Sequence, residues 1–357
     1  MSKGQGARDR GQGKTGFSSP LAPRPSPPTS TKRVLIIGPS NIGDGILAGG
    51  VMASVHARCP DAHVTLAVGA RAKALFVEDP RIQVLVDTDL YDSARGRLTL
   101  AWILWRYQPH AVIDLRHTLY PLLLKPLSAW RYLRQPPKAL IHMRERHLWK
   151  LRAQAPALAP SNGPLSANAT PLWFTPKDHA HADTLWRRWG FDQRHCLVII
   201  APGARSHIKR WTAEGFARVA DRLIAELRAR VLLSGEPDEE SVIQEVIGLM
   251  HERAHSAVGL TTIRQLGVLM QRAALVITND SASLHLASAV QTPTVALFGP
   301  TDDAKYGPTA PQAQVIRRRL FCAPCEQALC RFNHECMRFI GAEEVYQAAR
   351  QLLEQSR

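Results

Sequence analysis

The chain has 357 residues, of which 45% are hydrophobic and 21% charged. That balance suits a soluble globular protein, excludes wholesale disorder and, at roughly 100–200 residues per domain, predicts two domains. The 45 Lys and Arg against 30 Asp and Glu leave a net charge of +15, which favours an anionic partner: nucleic acid, a phosphorylated small molecule or an acidic membrane surface.

In chain order, residues 1–31 are rich in Gly, Ser, Pro and basic residues and predict a disordered tail. Their basic residues are followed by no apolar core of about 7–15 residues, so no signal peptide is read there and a cytoplasmic location is expected. Gly13-Lys14-Thr15 imitates the end of a phosphate-binding P-loop, but Arg8 stands where the first Gly belongs and no strand precedes it. From Arg33 the pattern becomes βαβ. Strands are predicted at Val34–Ile37, Val64–Val68, Ile82–Val86, Ala111–Leu115 and Ala139–His142. After a loop from Pro39 to Gly45, helices are predicted up to about Arg58 and near 70–77, 96–106 and 117–133. No apolar run reaches the ~18 residues that cross a bilayer; Leu119–Leu127 is broken by Pro121, Lys125 and Pro126.

Residues 153–177 are dominated by Ala, Pro, Ser, Asn and Gly and read as a linker between a first domain over 32–152 and a second over 178–341. The alternation resumes with strands at Leu197–Ile200, Val231–Leu233, Leu275–Thr278 and Thr294–Phe298. The intervening helices fall near 213–228, 239–250, 262–272 and from Ser281, and a closing helix lies within 342–357. The fold class is α/β, with two doubly wound Rossmann-like domains. Ligands of such sheets bind at the carboxyl ends of the strands, so the cleft between the domains is the expected site.

Four loops at strand ends could carry chemistry. In Gly38-Pro-Ser-Asn41-Ile-Gly43-Asp44, two glycines keep P-loop spacing, but Asp44 replaces the phosphate-binding Lys; its carboxylate suits a general base or a helix cap. Pro202-Gly203-Ala-Arg205-Ser206-His-Ile-Lys209-Arg-Trp211 offers cations and free amides for a phosphate or diphosphate, or is a solvated basic loop. In Thr278-Asn279-Asp280-Ser281-Ala-Ser-Leu-His285 a strand gives way to a helix whose start favours an anion, with Ser281 and His285 on one face. Phe298-Gly299-Pro300-Thr301-Asp302 is a turn.

Together and in this order these loops resemble glycosyltransferase family 9, the ADP-heptose:lipopolysaccharide heptosyltransferases. The likeness covers about residues 33–345. The chain departs from the family pattern at Ala282-Ser283, where Gly-Pro is usual, and at Ala48-Gly49-Gly50-Val51, where a Pro is often found. The resemblance implies the GT-B fold, with an acceptor domain at the amino end and a nucleotide-sugar domain at the carboxyl end. It implies an inverting transfer from ADP-heptose to a hydroxyl of the lipopolysaccharide inner core. Asp44 would be the base. Lys209 and the Asp280–Ser281 helix start would stabilise the diphosphate. Gly203, Arg205, Ser206, Glu236 and His285 would contact the donor, and Asn41 and Gly43 the acceptor. No cofactor is required for that chemistry.

Cys322, Cys325, Cys330 and Cys336 crowd into fifteen residues with spacing suited to a structural zinc or iron ion, His334 being an alternate ligand; reduced, metal-free thiols are the other reading. Of the net charge, +6 lies in residues 1–33 and +7 in residues 125–152. The second segment also holds Trp130, Tyr132 and Trp149, which suits contact with an anionic inner-membrane surface from the cytoplasmic side. A basic nucleic-acid-binding protein with a cysteine knuckle is the competing class, disfavoured because no recognition helix is evident. A family member that glycosylates a protein is a third expectation.

Overall fold

The structure, a computed structural model, describes residues 31–160, 172–192 and 194–355. The expected tail lies outside them apart from Thr31, as do residues 161–171 of the expected linker.

The amino-terminal half contains β1 (Arg33–Ile37), α1 (Ile42–Arg58), β2 (His63–Val68), α2 (Ala70–Lys73), β3 (Val84–Asp87), α3 (Ala94–Arg106), β4 (Ala111–Asp114), α4 (Tyr120–Leu124), α5 (Trp130–Leu133) and α6 (Met143–Gln154). Its four strands form a parallel sheet in the order β3-β2-β1-β4. The carboxyl-terminal half opens with α7 (Pro176–Arg188), β5 (Leu197–Ala201), α8 (Ala213–Leu227), β6 (Arg230–Leu233), α9 (Glu240–Leu249), β7 (His255–Ser256) and α10 (Ile263–Arg272). It continues through β8 (Leu275–Asn279), α11 (Ala282–Ala289), β9 (Thr294–Phe298), α12 (Asp303–Tyr306), β10 (Ala313–Arg317), α13 (Glu335–Arg338) and α14 (Ala342–Gln355). Its six strands form a second parallel sheet, β10-β9-β8-β5-β6-β7. Counted from its own first strand, that is the 3-2-1-4-5-6 order of the doubly wound fold.

The alternation of side chains along β1 and β5 explains how the halves join. Val34 and Ile36 of β1 and Leu197 and Ile199 of β5 enter one apolar cluster, which α1, α6, α10 and α11 complete through Val51, Leu151, Leu269 and Leu286. The intervening residues face away. Leu35 and Ile37 pack under Leu100 and Leu104 of α3, and Val198 and Ile200 pack under Phe216 of α8 and Tyr346 of α14. Strands buried on both faces need no polar face, which is why they read as continuous apolar runs. Contact between α1 and α11 links the halves directly.

Two expected elements change. The run 139–142 forms no strand; it leads into α6, whose cap is His142. The helix expected over 117–133 is divided into α4, a 3-10 turn at Pro126–Ser128 and α5, because Pro126 cannot continue a helical ladder. Tyr132 is buried and donates its hydroxyl to the Val112 carbonyl oxygen at 3.2 Å, so it belongs to the core and not to a surface. Among the described residues, no helix is long and apolar enough to cross a membrane.

Candidate functional site

In each sheet the chain reverses its winding beside the first strand: between β1 and β4 in one half, and between β5 and β8 in the other. The crevice outside the carboxyl ends of those strands is where such sheets bind ligands. Three of the four loops singled out by sequence lie there. The segment after β1 carries Asn41, Gly43 and Asp44. The segment after β5 carries Gly203, Arg205, Ser206 and Lys209. The segment after β8 carries Asp280 and Ser281.

The carboxyl-terminal loops are locked together by Asn279. Its side chain donates to the Pro202 carbonyl at 2.7 Å and accepts from the Trp211 amide at 3.0 Å. It is fully buried, so those bonds have no competition from water. Lys209 then reaches Asp280, Nζ to Oδ2 2.6 Å, the Asp280 side chain being 6% exposed and that of Lys209 32%. Ser281 caps α11 and accepts from the Ser283 amide at 3.3 Å. Gly203 leaves room for the Glu239 carboxylate, which a Cβ there would strike; burial pushes that carboxyl above its usual range.

Facing these loops, Asp44 sits in the first turn of α1. Asn41 starts the helix without a side-chain cap bond; its Oδ1 accepts from Arg205 Nη1 at 3.0 Å, across the crevice. Arg71 and Glu236 pair across it at 2.9 Å. His142 bridges it too. Its Nδ1 accepts from the Arg144 amide, leaving an Nε2–H that donates to the Gly307 carbonyl at 3.2 Å. His285 fills the seam between the halves. It is 6% exposed, its Nδ1 has no hydrogen-bond partner among the described residues, and burial holds its pKa below the ordinary value while Asp280 and Asp44 oppose that shift. It is neutral at neutral pH. Tyr306 is pushed above the ordinary phenol value chiefly by burial, and Asp44 acts in the same direction.

The tight contact of His285 with Gly43 yields a prediction. A Cβ on Gly43 would lie 2.7 Å from His285 Cδ2, closer than real contacts allow, and the buried ring has little room to yield. Gly43→Ala should push α1 from α11 and displace Asp44. A shift near 1 Å can cost about 100-fold in rate. For the sugar transfer that the family resemblance implies, we expect a kcat/KM loss of that order, with nucleotide binding retained in calorimetry.

The structure thus brings together Asn41, Gly43, Asp44, Arg205, Lys209, Asp280, Ser281 and His285, with Gly203 and Ser206 in the same loop and Glu236 opposite Arg71. Sequence reasoning missed Arg71, His142, Asn279 and Tyr306. Only Asn279 had a signal, its place inside the Asn-Asp-Ser run.

The cysteine cluster stands apart. Its loop is held by backbone, the Cys325 and Glu326 amides both donating to the Pro300 carbonyl. Burial, and then the other three thiols, push the Cys336 thiol up to about 11. Among the described residues, no group of three or more His, Cys, Asp or Glu side chains is arranged to hold a metal ion. His334, the alternate ligand, lies edge-on to His207 at 5.5 Å.

Two parallel doubly wound sheets with switch-point loops at one crevice are the GT-B arrangement. The family described as glycosyltransferase family 9 (heptosyltransferase) matches residues 170–335. The chain is 27% identical to lipopolysaccharide heptosyltransferase 3 of Escherichia coli K12 over 334 residues, covering 87% of this chain and 95% of that protein. It is 32% identical over 168 residues to lipooligosaccharide heptosyltransferase 2 of Campylobacter jejuni, an alignment covering 45% of this chain and 52% of that protein, about half its length. The solved structure of E. coli ADP-heptose lps heptosyltransferase II superposes with a TM-score of 0.69 at 21% identity, covering 90% of this chain and 99% of that one. In sequence and in fold the chain is thus similar to members of glycosyltransferase family 9.

Proposed function

We propose that this enzyme transfers heptose from ADP-heptose to a hydroxyl of the lipopolysaccharide core, with inversion at the anomeric carbon. The observation that carries the reading is that Asp44 on α1 and the Lys209–Asp280 pair, one from each half, all act on the buried His285 at the seam. The names of the relatives supply the sugar and the acceptor class.

In this mechanism the acceptor hydroxyl lies against Asn41 and Gly43, and Asp44 takes its proton as its oxygen attacks the anomeric carbon. The bond from that carbon to the diphosphate breaks, ADP leaves, and charge resembling an oxocarbenium ion develops on the sugar. The negative charge growing on the diphosphate needs fixed partners. Lys209 supplies one by turning from Asp280 toward the phosphate, and the first amides of α11 supply others. Arg205, Ser206 and Gly203 line the same loop. Glu236 holds the ribose hydroxyls, which requires Arg71 to release it. His285, neutral and buried, orients the seam beside the phosphates. Protein groups neutralise the diphosphate, and no cofactor enters a step. The cysteine loop stays outside the chemistry; a structural zinc or iron ion there remains a proposal about stability and takes no part in transfer. We place the enzyme in the cytoplasm, on the inner face of the membrane that carries its acceptor.

The test is incubation with ADP-heptose and a panel of truncated lipopolysaccharide acceptors, read by mass spectrometry. One acceptor should gain a single heptosyl group; no gain on any acceptor overturns the reading. Lys209→Met should lower kcat about 100-fold, the usual cost of removing one preorganised charge-stabilising donor. It should also lower the melting temperature, because Asp280 is left buried without its partner. An unchanged kcat would remove Lys209 from the mechanism.

A further inference from the structure

Helix α3 is apolar on two opposite faces. Leu100 and Leu104 are buried against the first sheet. Leu98, Trp102 and Trp105 lie on the far side of the helix and are exposed, Trp105 by 58%. A helix that only covered a sheet would be polar on that side. Helix α4 packs against α3, and the chain from α4 to α5 exposes Leu123, Leu127 and Trp130, Leu127 by 99%. Such large apolar side chains, clustered on neighbouring elements, mark a contact surface.

The charge around them selects the occupant. Between Ala94 and Arg134 the chain has seven Lys and Arg and one acid, Asp114, which is buried. Arg106 lies over the Trp102 ring at 4.9 Å and Arg131 over the Trp130 ring at 5.4 Å. Two copies meeting through this surface would bring mainly cations against cations, with Asp92 before α3 as the exposed carboxylate nearby. Rings bordered by guanidinium groups suit the boundary of an anionic bilayer, where the ring enters the headgroup layer and the cation stays with phosphate.

We propose that the outer faces of α3 and of the α4–α5 segment form a docking surface for an anionic lipid bilayer. This deepens the reading above, because it rests on the acceptor being carried by a membrane. The surface is wider than the basic segment at 125–152 suggests, and its apolar part lies largely on α3.

The experiment is co-sedimentation of the full chain with vesicles of phosphatidylcholine alone and with roughly a third phosphatidylglycerol. Trp102→Ser/Trp105→Ser and Leu127→Ser/Trp130→Ser are each compared with the unaltered protein. Both pairs are exposed, so melting temperatures should stay level. The unaltered chain should bind the anionic vesicles, bind the neutral ones weakly and release with salt; each double variant should bind about tenfold less. Absent binding by the unaltered chain, or equal binding by the variants, overturns the proposal. So does a concentration-dependent dimer, or a complex with a soluble acidic protein, that the substitutions abolish. Transfer to a delipidated core oligosaccharide should be the same in all three proteins. Failure of that transfer in all of them, with vesicle binding intact, would count against the proposed reaction and leave the surface standing.

Discussion

Asp44→Asn should lower kcat for heptose transfer by a factor of about 10²–10⁴, the range of a positioned general base, while ADP binding measured by calorimetry stays within twofold. The alternative role of Asp44 is to support the start of α1. Asn41, the residue that begins the helix, makes no capping bond with its side chain and spends its Oδ1 on Arg205. Its Nδ2 lies 3.5 Å from Asp44 Oδ2, at the outer limit of a hydrogen bond. What remains to a helical role is the attraction of a carboxylate to the helix start, about 0.3–1 kcal/mol. Asn keeps the shape of Asp and loses only the charge and the basicity. A helical role therefore predicts a small drop in melting temperature and near-normal turnover. A catalytic role predicts near-normal melting and little turnover. ADP binding separates loss of chemistry from loss of the donor site, because the donor loops all belong to the other half of the chain. Turnover above a tenth of normal would remove Asp44 from the role of base.

How much of this was legible in sequence follows from where the information sits. The first strand of each sheet is an apolar run ended by Gly or Pro, at Ile37-Gly38 and Ala201-Pro202, and period and punctuation suffice to find it. The site residues lie within a few positions of those ends, so finding the strands nearly found the site. The edge strands of the second sheet escaped. β7 has two residues, and β10 mixes Gln314 and Arg317 with apolar positions because it is covered only in part. The aromatic at 132 was misread because Tyr suits both an interface and a core that offers its hydroxyl a carbonyl. Arg71, His142 and Tyr306 carry no local pattern at all. Arg71 meets Glu236 from 165 positions away, and that pairing exists only once both sheets have formed.

His147 on α6 makes the protein sensitive to acid in a way the His147→Gln variant should lack. The residue is 2% exposed, and its Nδ1 has no hydrogen-bond partner among the described residues. Burial is the first cause that holds its pKa down at about 4; Lys150, Arg146 and His142 add to the shift, and the Leu47 backbone opposes it. In the unfolded chain the ring titrates near 6.5. Between those values the unfolded state binds more protons than the folded one. The stability tied to a neutral His147 is therefore complete above about pH 6.5 and is lost as pH falls toward 4. At pH 5 the loss amounts to about 2 kcal/mol, since one pKa unit is 1.36 kcal/mol. That is a large part of a domain stability of about 5–15 kcal/mol. Gln is polar but cannot take the proton, so its cost is the same at both pH values. His285 is also held low by burial, and its contribution is common to both proteins and cancels in the difference. Denaturant titrations at pH 7.5 and pH 5 should show the unaltered chain losing about 2 kcal/mol more than His147→Gln between the two. Equal losses would mean that His147 charges without unfolding. The α1–α6 contact would then admit water to a ring that packs beside the helix carrying Asp44.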